Sequence, residues 1–186
     1  CLYIMVMSKS LTPFLIVFVF LFFGCARNNM PSDHQMLENF NLNESEFERL
    51  RNISVKYDRF YYSPYDETDS TAYIISYKDK KELDSLIKKL DIMSIQYDGI
   101  SEVYLLFHTW GISVSGGYKK YIYAPNLEDK IENYNKEVAL DPTTEMYIVE
   151  RITEEDLDQV SQRYSVSIEL YRPIKNGWYI HLSREY

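Results

Sequence analysis

The stretch "GISVSG", Gly111–Gly116, comes nearest to a catalytic motif in this chain. A serine nucleophile is activated on a sharp strand-to-helix turn of the form G-x-S-x-G. Here Ser115 stands where the second glycine belongs, and "GYKKYIYA" follows with the alternation of a strand. Alternation puts Ser113 and Ser115 on one strand face and Ile112 and Val114 on the other, which is the pattern of a polar sheet face. His108, just upstream in an apolar run, has the type of a general base and would pair with Ser113 or Ser115 in a hydrolase. The commoner use of such a residue is a hydrogen-bonded histidine within a sheet.

Metal chemistry has less support. His34, His108 and His181 show no ligand spacing, and the two cysteines, Cys1 and Cys25, lie in or at the end of the leading segment. Glu154, Glu155, Asp156 and Asp158 cluster without the alternating acids and mid-loop glycine of a calcium loop, and acids of this kind suit the start of a helix. No phosphate-cradling glycine loop occurs, so neither metal nor cofactor is expected. The remaining chemistry-bearing set is aromatic. Tyr118, Tyr121 and Tyr123, with Tyr61, Tyr62 and Tyr65, offer a binding face for a glycan or peptide.

The leading stretch "LTPFLIVFVFLFFGC", Leu11–Cys25, decides location. A spanning helix needs about 20 apolar residues, and Leu11–Gly24 is shorter, with Pro13 near its start. A secretory signal wants small residues in an A-x-A pattern, and Phe22 occupies the first of those places. Read from Met7, with initiation expected at Met5 or Met7, Lys9 supplies a positive n-region before the apolar core. The stretch resembles the bacterial lipoprotein signal, which ends in a small residue followed by cysteine. The resemblance implies cleavage before Cys25 and acylation of its thiol and new amino group, with Phe22 and Phe23 replacing the family's usual Leu and Ala or Ser. Two or more acyl chains hold a protein on a bilayer without a spanning helix. Ala26, in place of the Asp associated with inner-membrane retention, implies an outer-membrane address facing the periplasm where the host has two membranes.

Charge narrows the partners. The formal net charge is −8, and the acids all follow residue 24. Nucleic acid and anionic lipid both require clustered Lys and Arg, so neither is an expected partner. A hydrophobic fraction of 46% argues for a packed core, and 18 tyrosines argue for a sheet.

The elements that must position these residues follow from periodicity. Asn43–Ser54 carries Phe47, Leu50 and Ile53 on one stripe, and Asp79 opens a helix with Leu83, Leu86, Ile87 and Leu90 on one face. Asn126–Leu140 is weakly helical, and Thr153 caps a third clear helix bearing Leu157, Val160 and Tyr164. Strands are predicted near Phe60–Tyr62, at Ala72–Tyr77, Val103–Trp110 and Met146–Ile152, and in two hairpins turning at Gly116-Gly117 and Asn176-Gly177. The expected architecture is an α+β domain, an antiparallel sheet built from hairpins with about three helices on one face. Residues 1–24 form the signal, 25–42 a lipid-attached tether and 43–186 the domain.

"WGISVSGGYKKYIY" (Trp110–Tyr123) with "NGWYIHL" (Asn176–Leu182) resembles a family of small uncharacterised bacterial proteins, many of them lipoproteins. Their motif runs roughly W-G-x-x-x-S-G-S-x-K-G-Y-x-Y before a closing N-W-Y-x-Y strand. This chain has Gly117 in place of Ser, Lys120 in place of Gly, and Gly177 inserted before Trp178. The resemblance implies a sheet and no particular chemistry. The expectation is a lipid-anchored envelope protein serving as a non-catalytic interaction or structural module, against a periplasmic hydrolase or an acidic immunity-like inhibitor as alternatives.

Overall fold

The structure is a computed structural model describing residues 30–65, 75–112, 115–140 and 148–185. Its strands are β1 (Phe60–Tyr62), β2 (Ser94–Tyr97), β3 (Val103–Ile112), β4 (Ser115–Tyr123), β5 (Val149–Ile152), β6 (Ile168–Lys175) and β7 (Trp178–Arg184). They form one seven-stranded sheet in the order β1-β2-β3-β4-β7-β6-β5. All pairings are antiparallel except β5 with β6. Five helices among the described residues complete an α+β fold: α1 (Asp33–Leu42), α2 (Glu44–Ser54), α3 (Tyr77–Leu90), α4 (Leu127–Leu140) and α5 (Leu157–Ser161). No helix among the described residues is long and apolar enough to cross a membrane.

The core lies between one sheet face and α1, α2, α3 and α5. Phe47 of α2 is its centre, 4.6 Å from the Tyr121 ring, 4.8 Å from Phe40 of α1 and 5.7 Å from Trp178. The apolar stripe of α3, Leu83, Leu86, Ile87 and Leu90, is buried in the same cluster. Burial of each such side chain contributes roughly 1.5–3 kcal/mol relative to exposure. Trp178 is sealed because its indole N–H donates to Glu48 at 2.9 Å. The fourth helix departs from the one-faced expectation. Leu127 and Ile131 of α4 pack with Ile122, Ala124, Tyr171 and Tyr179 on the opposite sheet face.

Several boundaries also move. The expected tether over 25–42 is in large part helix α1, which Ser32 and Gln35 open with a reciprocal capping box. Met36 and Phe40 enter the core, so the fold extends at least from Met30, whose side chain packs against it. Asp33 ties this helix down. It is fully buried, 2.6 Å from the Lys119 ammonium and 3.2 Å from Arg172, and accepts the Leu157 N–H at 2.8 Å. Its Oδ1 lacks a well-angled hydrogen bond and is compensated by the charge of Lys119. Helix α3 is capped by Ser76, which accepts from the Asp79 N–H, so Asp79 lies inside the first turn. Ile75 and Ser76 are consequently not strand, and Ala72–Ile74 of that expected strand lie outside the described residues. The β3–β4 ladder runs on to the Ile112–Ser115 pair, so Gly116-Gly117 are not the turn but pair inside β4 with Gly111 and Trp110. At β6–β7 the expected turn is present, Asn176 and Gly177 both taking positive φ, 52° and 81°.

One irregularity re-aims side chains. The β3–β4 register slips between Leu106 and His108, leaving Phe107 as an extra residue. Phe107 packs at 5.6 Å on Tyr121 in the helical core, and His108, opposite the core-facing Lys119, follows it to that side. Thr109 is thereby delivered to the other face, opposite Tyr118.

Candidate functional site

The described residues cover the sheet face opposite the main core only in part, because α4 spans its β6–β7 end. Register lines up three cross-strand rows there. One runs Tyr61, Gln96, Tyr104, Ile122 and Tyr179; the next Ser94, Leu106, Lys120, His181, Tyr171 and Ile152; the third Thr109, Tyr118, Ser183 and Glu169. Where α4 stops, the ends of these rows from β1 to β4 form an open basin of about 290 Å³, lined by Tyr61, Tyr104, Tyr118, Leu106, Ser94, Gln96, Thr109 and Lys120.

Lys120 is its centre. The ammonium lies 4.4 Å from the Tyr104 ring centroid and 4.6 Å from that of Tyr118, a cation held between two π faces. Burial pushes its amine down to about 8, while the charges of Glu169 and Glu102 resist the shift. The rings are themselves held in place. The Tyr104 hydroxyl donates to Glu102, which Lys130 also bridges, and burial followed by Glu102 raises the Tyr104 phenol. Tyr118 reaches Ser183 and meets the His181 ring edge-on at 5.5 Å.

Behind Lys120 the row is sealed. His181 stacks on Tyr171 at 4.3 Å and 7°, and its Nε2 contacts Glu169, which also accepts from Ser183 at 2.8 Å. Burial pushes the His181 imidazole down to about 4, against the raising effect of Glu169. Burial alone would raise Glu169, yet the hydrogen bonds from His181 and Ser183 and the charge of Lys120 hold it below the usual carboxylate range. This Ser–Glu–His grouping lacks nucleophile geometry: Ser183 donates to the acid, and His181 Nδ1 is buried without a partner.

The residues singled out from sequence are distributed differently. Tyr118 lines the basin, whereas Tyr121 is completely buried beneath α1 and α2, and Tyr123 packs at 5.4 Å on Trp178 under the Arg51 guanidinium. The trio is therefore split between the two sheet faces, as strict alternation along "YKKYIY" requires. Tyr61 is 38% exposed at the basin, while Tyr62 is buried and donates to Asp84 at 2.5 Å. His108 lines a separate cleft of about 390 Å³ with Met30, Asp158, Leu182 and Arg184 on the helical side. Ser115 pairs with Ile112, four register positions, or about 13 Å along the strand, from the His108–Lys119 pair. Ser113 and Cys25 lie outside the described residues.

The carboxylates of Asp33, Asp156 and Asp158 come within 4.8 Å of one another. Lys119 Nζ sits against two of them, 2.6 Å from Asp33 and 3.0 Å from Asp158, so the protein supplies the cation that this cluster needs. No family model, no curated protein and no solved structure matches this chain.

Proposed function

We propose that this chain is a lipid-anchored protein of the bacterial cell envelope, held through acyl chains on Cys25, and that it acts without catalysis as an interaction module. Its interaction surface is the open sheet face from β1 to β4. The observation that carries this reading is the basin itself: helices fill the other face, while here a lysine lies between the rings of Tyr104 and Tyr118 with no carboxylate of the described residues within hydrogen-bond distance. A half-wet antiparallel face is ordinary, but a desolvated ammonium left in it is costly to fold around and is conventionally retained for what it contacts. The envelope address rests on the lipoprotein-like segment ending at Cys25, with the outer membrane facing the periplasm as its destination in a two-membrane host.

The test uses the full chain in bacterial cells. Palmitate labels the wild-type protein, and Cys25→Ser abolishes the label and leaves a larger, uncleaved chain. A photoreactive benzoylphenylalanine placed at Tyr61 yields adducts; the same group at Tyr77, which is 84% exposed at the start of α3, does not. Labelling that survives Cys25→Ser removes the anchor from this reading. Equal adduct yields at the two positions remove the open face as its interaction surface.

A further inference from the structure

Four polar side chains of the basin lack a hydrogen-bonding partner among the described residues. Among the described residues Lys120 makes no ion pair and no hydrogen bond, and the side chains of Ser94, Gln96 and Thr109 make no hydrogen bond. Among the described residues Lys120 is also the only charged one lining the basin, in a chain of net charge −8. A ligand that complements this set carries one negative charge, several uncharged hydrogen-bonding groups, and apolar faces for the rings of Tyr104 and Tyr118.

The fold discriminates among anions. A phosphoryl group is held by several donors, Arg or Lys forks or free backbone N–H groups. Here there is one ammonium, and the backbone on both sides of Lys120 is committed to the ladders with β3 and β7. An extended peptide is recognised by adding a strand at a free sheet edge, and Lys120 lies on an interior strand. A neutral sugar would leave the ammonium uncompensated. A basin of about 290 Å³ accommodates a ligand the size of one sugar ring.

Resting on the interaction-module reading above, we propose that this basin binds a sugar acid: one saccharide unit with its carboxylate on the Lys120 ammonium, its ring against Tyr104 and Tyr118, and its hydroxyls on Ser94, Gln96 and Thr109. Binding is then sensitive to pH. The amine, lowered to about 8 by burial, loses its charge as pH rises through that value, and affinity for a carboxylate falls with it. Glu169, which remains ionised in that range, and Tyr104, Tyr118 and His181, which remain neutral, face the same amine without reversing the sign.

The experiment is ligand-observed NMR on the full chain in detergent micelles, with glucuronate, glucose, acetate and inorganic phosphate as probes. Glucuronate is expected to bind about tenfold more tightly than glucose, the ratio of one charge-assisted hydrogen bond. Acetate and phosphate are expected not to compete with it. Lys120→Met should bring glucuronate down to the glucose level with no loss of melting temperature, because the substitution removes a desolvated cation. Thr109→Val, on an exposed side chain, should weaken both sugars by about threefold, a typical loss for one neutral hydrogen bond, and leaves the lysine in place. Acetate or phosphate competing as well as glucuronate, or unchanged glucuronate binding in Lys120→Met, would overturn the proposal. So would the absence of any sugar signal. If that absence accompanies persistent adducts from Tyr61, the ligand class fails and the interaction-module reading survives; if the adducts are absent too, both fail.

Discussion

Lys119, Lys120 and His181 show how one residue of displacement decides chemistry. Lys119 points to the helical side and is fully buried among Asp33, Asp158 and the Pro31 carbonyl. Lys120 points the other way, into the basin, and its cross-strand partner His181 is sealed beneath Tyr171. The His181 imidazole titrates near 4 in the folded chain and near 6.5 when unfolded. As pH falls through that window the unfolded chain takes up a proton that the folded one refuses, so stability falls. Glu169, lowered in the fold, acts in the same direction at the acid end of the window. The expected loss from His181 between pH 6.5 and 4 is on the order of 2–3 kcal/mol. Urea midpoints measured across this range should fall more steeply for wild type than for His181→Gln, and parallel profiles would refute the assignment. Sequence showed part of this. The alternation in "YKKYIY" already separates Tyr118 and Lys120 from Tyr121 and Tyr123, but the partners are out of sequence reach: Asp33 lies 86 positions before Lys119, and His181 lies 61 after Lys120.

At the scale of elements, local signals that reinforce one another were legible and long-range ones were not. The stripe of α3 and the Asn176-Gly177 turn are written in adjacent residues and occur where periodicity and turn chemistry place them. Helix α1 was missed because its polar sequence has a weak apolar stripe; docking on Phe47 and the buried Asp33–Lys119 pair hold it. The β-bulge at Phe107 was invisible because nothing in "LLFHT" marks an unpaired residue, yet it sends His108 and Thr109 to opposite faces from those alternation assigns. The β6–β7 turn gives a sharp test. Gly177 has φ 81°, and an added Cβ would stand 3.2 Å from the Pro125 Cα. Gly177→Ala is expected to cost about 1–3 kcal/mol by chemical denaturation. A loss within experimental error of zero would mean that the turn relaxes without strain.

Across the whole molecule, both ends of the described chain converge. Met30 lines the same cleft as Arg184, and the Glu185 N–H donates to Gly116 beside the β3–β4 turn. The β2–β3 turn carrying Ile100, 81% exposed, lies at the far end of the strands. If Cys25 carries the lipid, only residues 26–29 separate it from Met30, a reach of at most about 18 Å when extended. The domain then stands on the bilayer with a fixed end down. In lipid vesicles, a fluorophore at Glu185 should be quenched by headgroup quenchers far more than one at Ile100; equal quenching would exclude this orientation. Proteins held on a surface at high lateral density meet one another constantly, and a sheet with a long open margin would zip into its neighbours. Among the described residues the margins are β1 with three residues and β5 with four, while the ten-residue β3 and nine-residue β4 are enclosed by partners on both sides. Few unpaired backbone groups of the described residues remain for a second copy to template on, so crowding on a membrane would not become polymerisation.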